Sequence, residues 1–148
     1  MKNVLLAIII ALVFLSGCTS NIQEEQVIGE SDMQVKMSQA LKQLSQSGQF
    51  VVFSIDDYTF IQVGFLKGES KPYELDVPLN EVIKKYENQL TSFYDSRGIE
   101  WTRNDGSDGM VFIDASFSTS EETAEISELI FKEVFGKQNF TIDISINK

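Results

Sequence analysis

The chain holds 22 Asp and Glu residues but no histidine and a single cysteine, Cys18. Carboxylates are therefore its main chemical resource. A Ser-His-Asp or Cys-His nucleophilic set needs a histidine, and a Cys/His zinc site needs more ligands than one cysteine. A hydrolase built from carboxylates alone would need two acids about 5–10 Å apart in a pocket. Asp56-Asp57 is the obvious adjacent pair, but neighbours in a tight turn diverge, and Asp is a common turn former. Asn104-Asp105-Gly106-Ser107-Asp108-Gly109 is rich in oxygen ligands. A calcium loop of the EF-hand type wants a Glu at its twelfth place. Counting from Asn104 or Asp105, that place holds Ala115 or Ser116, so a plain hairpin loop is expected. Glu121, Glu122, Glu125 and Glu128 could make an acidic recognition stripe. Early acids equally favour a helix N-terminus, with the rest a solvated face. Ser145-Ile146-Asn147-Lys148 has a Ser-x-x-Lys spacing, but on an expected strand, where the penicillin-binding type needs it to open a helix. No phosphate-loop or dinucleotide glycine pattern occurs. These residues imply no enzyme, no cofactor and no bound metal. With a pI of about 4.4, the basic footprint of nucleic-acid binding is absent as well.

Cys18 has its own context. Lys2 is followed by the unbroken apolar run Val4 to Leu15 and then by Leu15-Ser16-Gly17-Cys18. The run suits a signal h-region and is short for a membrane span, which needs ~20 residues. Leu, two small residues and Cys resemble a bacterial lipobox. The resemblance implies that residues 1–17 are a signal peptide and that Cys18 is lipidated as the first mature residue. Its thiol is then unavailable for a disulfide, a metal or redox work, and the fold stands on packing alone. The implied home is the cell envelope, with the membrane as a partner through the lipid. Thr19 in place of Asp argues for the outer membrane in a Gram-negative cell; in a Gram-positive cell the anchor lies on the outer face of the plasma membrane. Residues 18–32 carry Glu24, Glu25, Glu30 and Asp32 and no basic residue, which reads as a flexible acidic spacer. Residues 33–148 then form one domain.

Within that domain, Met33, Met37, Ala40, Leu41 and Leu44 fall on one face of a helix over 31–47. Ser31 or Asp32 can cap it, and Gly48 suits its end. Residues 50–55 and 59–66 read as strands around an Asp56-Asp57-Tyr58 turn. Tyr73, Leu75 and Val77 alternate with Glu74 and Asp76 as a half-buried strand. Leu79, Val82, Ile83, Tyr86, Leu90, Phe93 and Tyr94 predict a second helix, with Pro78 in its first turn and Arg97-Gly98 at its end. A hairpin of 99–103 and 110–117 follows, with residues 104–109 as its loop. Ser118-Thr119-Ser120-Glu121 has a capping-box spacing before a third helix. That helix buries Ile126, Leu129, Ile130 and Val134, widened by Phe131 and Phe135, and ends at Gly136. Phe140, Ile142, Ile144 and Ile146 form a last strand. The expected fold is a single α+β domain in the order α-β-β-β-α-β-β-α-β. Its sheet is largely antiparallel and covered on one face by helices.

That order resembles the type III secretion chaperone-like fold, the TY-Chap branch in particular. Phe60-Ile61-Gln62-Val63, Tyr73-Glu74-Leu75-Asp76 before Pro78 and Asn80, the step from Leu90 through Gly98-Ile99-Glu100-Trp101, and Phe131 to Gly136 carry the local resemblance, over roughly residues 33–136. It implies a tendency to bind protein surfaces. Those chaperones are cytoplasmic and lack a lipoprotein signal, so a cytoplasmic effector is not the expected client. The expected role is a lipid-anchored, non-enzymatic module that binds another protein or itself. The alternative is a module for a small ligand or envelope polymer. Of the 16 aromatic residues, Tyr58, Tyr73, Tyr94 and Trp101 lie near element ends or strand edges and are the candidate binding surface.

Overall fold

The computed structural model describes residues 31–47, 49–106 and 109–147. Cys18, the lipobox, most of the spacer, Gly48, Ser107 and Asp108 lie outside them. In chain order the elements are α1 (Asp32–Ser47), β1 (Phe50–Ser54), β2 (Phe60–Phe65), β3 (Tyr73–Pro78), a 3-10 turn (Lys84–Tyr86), α2 (Glu87–Ser96), β4 (Trp101–Asp105), β5 (Val111–Phe117), α3 (Ser120–Leu129) continued by a π turn (Ile130–Val134), and β6 (Asp143–Asn147). This is the expected α+β order. The sheet has six strands in the order β4-β5-β3-β2-β1-β6, and each neighbouring pair is antiparallel.

Period-two alternation sorts the side chains. Val51, Phe53, Ile61, Val63, Leu75, Val77, Ile113, Ala115 and Phe117 are buried on one face. They form one core with Met37, Leu41 and Leu44 of α1, Leu90, Phe93 and Tyr94 of α2, and Ile126, Ile130, Phe131 and Val134 of the third helical segment. All the helical segments therefore cover the same face. The opposite face carries Phe50, Val52, Phe60, Gln62, Glu74, Asp76, Phe112, Asp114 and Ser116, and among the described residues no helix lies over it.

Local chemistry fixes the boundaries. The Ser31 hydroxyl accepts the backbone N–H of Gln34 and caps α1. Asp56 takes the N–H groups of Tyr58 and Thr59 on its Oδ1, so Asp56-Asp57 is a turn. Those bonds hold the Asp56 carboxyl below its usual range, Tyr58 first. The second helix begins later than its apolar spacing implies. Pro78 closes β3 opposite Phe112, and the Leu79 N–H donates to Val111 O, which keeps the chain on the sheet. Asn80 Oδ1 then accepts from Val82 and Ile83 N–H. That side-chain turn carries the chain through the 3-10 segment, and the α-helix proper starts at Glu87.

The third helix is capped one residue later than expected. Thr119 accepts the N–H of Glu122, and Glu122 accepts that of Ser118. Gly136, at φ 68°, ends the segment in the left-handed region that favours glycine. The β4–β5 loop is shorter than the expected 104–109, because Asn104 and Asp105 pair with Phe112 and Val111 in the ladder.

Candidate functional site

The centre of the helix-free face is built by three strands. Cross-strand register places Asp76 of β3 opposite Asp114 of β5, Asp114 opposite Thr102 of β4, and Asp76 opposite Gln62 of β2. Glu74, two residues before Asp76, points to the same face. One carboxylate oxygen from each of Glu74, Asp76 and Asp114 lies within 4.8 Å of the others. Gln62, Asn104, Gly106 and Phe112 line the shallow depression around these three acids. An adjoining depression is bounded by Lys71, Glu100, Trp101, Thr102 and Ser116. Lys71 pairs at 3.8 Å with Glu100. Among the described ion pairs none includes Glu74, Asp76 or Asp114.

Three acids packed this closely in a half-buried place repel one another and lose hydration. Burial pushes the Asp76 carboxyl up to about 8, helped by the Asp114 and Glu74 charges and a side-chain hydrogen bond with Asp114. Burial also raises Glu74, with the Asp114 charge adding to it. Asp114 is raised by burial, partly offset by hydrogen bonds with Asn104 and Asp76. Asp114 is 8% exposed, and its Oδ1 is buried without a hydrogen-bond partner. With its carboxyl pushed up to about 8, Asp76 favours its protonated form at neutral pH. It can donate that proton in a hydrogen bond or exchange it for a cation. The acids lie closer together than the separated acid and base that an inverting glycosidase needs, ~6.5–9.5 Å apart. The sequence holds no histidine, so a histidine-based nucleophilic set cannot be built around these acids.

Beneath the sheet, Tyr94 is fully buried and its hydroxyl also lacks a hydrogen-bond partner. Burial raises its pKa, and the Asp114 and Asp76 charges raise it further.

The aromatic candidates do not converge. Tyr58 is 63% exposed in the β1–β2 turn, where its carbonyl accepts from Asn80. Trp101 is half-buried, and its Nε1 donates to Asp95 Oδ1 of α2 at 2.9 Å. Tyr73 and Tyr94, expected near a binding edge, are 7% and 0% exposed. They are core residues, because their strand and helix positions face the helix-covered side; Tyr73 packs edge-on against Phe65. The acidic stripe divides as well. Glu121 pairs with Lys42 at 2.5 Å and is held down to about 2 by that bond first and the Ser120 hydroxyl second. Glu128, expected on a solvated face, is 3% exposed. Lys132 at 2.8 Å and the Ser31 hydroxyl compensate it.

The carboxylate cluster escapes a reading of sequence alone because β3 and β5 are separated by a helix and a strand. Glu74 and Asp76 read there as the solvent side of a half-buried strand. The available signal is an acid at the outward place of a strand otherwise as apolar as Val111 to Phe117.

Comparison with protein-family models, curated proteins and solved structures gives no match. No helix among the described residues is long and apolar enough to cross a membrane.

Proposed function

We propose that the chain is a lipid-anchored, non-enzymatic module of the cell envelope that binds a protein partner through the helix-free face of its sheet. The lipobox-like Leu15-Ser16-Gly17-Cys18 supplies the anchor, and the acidic spacer over residues 18–32 holds the domain off the membrane. The observation that carries the reading is the one-sided covering of the sheet. A six-stranded sheet leaves half-buried Phe50, Val52, Phe60 and Phe112 around a carboxylate centre with no element of the described chain over them. Apolar side chains ringing polar anchors are what an interface core uses. The likeness in element order to the secretion chaperone-like fold supports a protein surface as ligand, with function still argued from the site.

Photo-crosslinking residues placed at Phe60, Phe112 and Lys36 in intact cells test the proposal. Lys36 is exposed on α1 and serves as the opposite-face control. The same envelope protein is expected to crosslink from Phe60 and Phe112 and not from Lys36. Equal yields from all three sites, or none from the sheet, would overturn it. Cys18→Ala should abolish incorporation of labelled lipid and membrane partitioning. Unchanged labelling would remove the anchor from the account.

A further inference from the structure

We propose that the helix-free face docks a cationic protein segment, with two arginine or lysine side chains of the partner seated on it, one beside Phe112 and one beside Phe60. Such docking rests on the partner-binding reading above and adds the partner's chemistry.

Charge divides the two sides of the sheet. Alternation and register place Asp143 of β6, Glu74 and Asp76 of β3 and Asp114 of β5 on the helix-free face. Among the described strand residues these are its charged side chains, and all four are acidic. The basic residues stand elsewhere. Arg103 of β4 pairs in register with the inward Ile113, so it lies on the helix-covered side, where it meets Glu87 of α2. Arg97 and Lys132 pair with Glu133 and Glu128 among the helices. At the rim of the open face, Lys71 is held by Glu100 at 3.8 Å and Lys137 reaches Asp56 at 4.0 Å. None of the described ion pairs includes the four outward acids. Complementary sign is what lets an interface select its partner. A second copy of this chain, docked face to face, would bring the same acids against themselves.

The apolar pattern on this face says how a cation would sit. Half-buried aromatic rings stand beside the acids in two separate depressions. One is lined by Gln62, Glu74, Asp76, Asn104, Phe112 and Asp114. The other joins Val52, Ser54 and Phe60 to Asp56, Asp57 and Asp143. Arginine and lysine carry an apolar stem below a charged head. The stem lies on the ring and the head reaches the carboxylates; a guanidinium adds stacking and a two-pronged hydrogen bond. A purely apolar partner would strip water from the carboxylates and return no counter-charge.

The two seats also set a spacing. Phe60 on β2 and Phe112 on β5 are separated by β3. Neighbouring strands lie ~4.8 Å apart, which puts the seats roughly 10–15 Å apart. Places i and i+4 of an extended segment, at ~3.3 Å per residue, match that span.

Gly64 provides the test. It lies on this face between Phe50 and Glu74, and a Cβ there meets nothing within 4 Å, so the strand can carry a longer side chain. The probes are two peptides, uncharged except that one has arginine at places i and i+4, where the other has citrulline. Each is titrated into the isotope-labelled full chain in nonionic detergent and followed by NMR. The arginine peptide is expected to give saturable shifts at the Phe60, Gln62, Phe112 and Asp114 amides, weakened by added salt. The citrulline peptide should bind at least about tenfold more weakly, the least that close charge pairs at an interface are worth. Gly64→Lys should weaken binding of the arginine peptide several-fold, and Gly64→Glu should not. No saturable binding, equal affinity for the two peptides, shifts centred on the exposed Glu125 of α3, or equal loss in both Gly64 variants would overturn the proposal. Any of these with crosslinking from Phe60 and Phe112 intact would keep the partner and deny it a cationic surface; the reverse pair of results would keep the cationic seats and remove the envelope partner.

Discussion

Asp76 should make the domain more stable in mild acid than at neutral pH, against the usual behaviour of carboxylates. Burial pushes its folded-state carboxyl up to about 8, from an ordinary value of 3.8. Between those values the folded chain binds a proton that the unfolded chain has lost. Stability therefore falls as pH rises through the window and is fully present only below the unfolded value. One proton corresponds to about 1.4 kcal/mol per pH unit. Over pH 5 to 7.5 that is about 3 kcal/mol as an upper bound, and about 2 kcal/mol allowing for the half-exposed rim of the cluster. Glu74 and Asp114 are raised as well, so the three acids titrate as a coupled set and their contributions have one sign. Glu121 and Asp56, which are lowered, act in the opposite sense, but their contribution changes only below this window. The assay is urea unfolding followed by far-ultraviolet circular dichroism at several pH values between 5 and 7.5, with EDTA present. Wild type should lose stability steadily with rising pH. Asp76→Asn should flatten the profile and exceed wild type at pH 7.5. A wild-type profile that is level or rises over this range would refute the reasoning, as would an unchanged slope in Asp76→Asn.

Tyr94→Phe deletes a buried hydroxyl that lacks a hydrogen-bond partner and should stabilise the domain by about 1 kcal/mol in urea unfolding. Leu75→Ala opens a cavity at the fully buried centre of β3 and should cost about 2–5 kcal/mol by the same measurement. Asn80→Ala removes the acceptor for Val82 and Ile83 N–H and the bond to Tyr58 O. It should cost about 1 kcal/mol, with faster hydrogen exchange at Val82 and Ile83.

The layered fold was legible because β1, β2 and β3 alternate and each helix carries one apolar stripe. Tyr73, Leu75 and Val77 read as one buried face and are one. Boundaries set by single polar side chains were harder to read. Leu79, Val82 and Ile83 have helical spacing, yet Asn80 and the Leu79–Val111 bond hold that stretch out of the α-helix. The Thr119 cap shows the same limit, since two hydroxyls and two glutamates stand one step apart and only geometry chooses between them. The carboxylate cluster was not legible, because it depends on the non-local pairing of Asp76 with Asp114. Glu128 was misread for the same reason: it is buried, and its carboxylate accepts from the Ser31 hydroxyl, 97 residues away in sequence. The aromatic candidates followed element ends, whereas burial follows the face of the sheet, and Tyr73 and Tyr94 turned out to be on the inner one.

The central claim is that the helix-free face binds a partner in the envelope, and crosslinking from Phe112 in intact cells tests it most directly. A single envelope protein captured from Phe112 and Phe60, with nothing captured from Lys36, is the predicted result. Capture from Lys36 with silence from Phe112 and Phe60 would contradict the claim and move the interface to the helices.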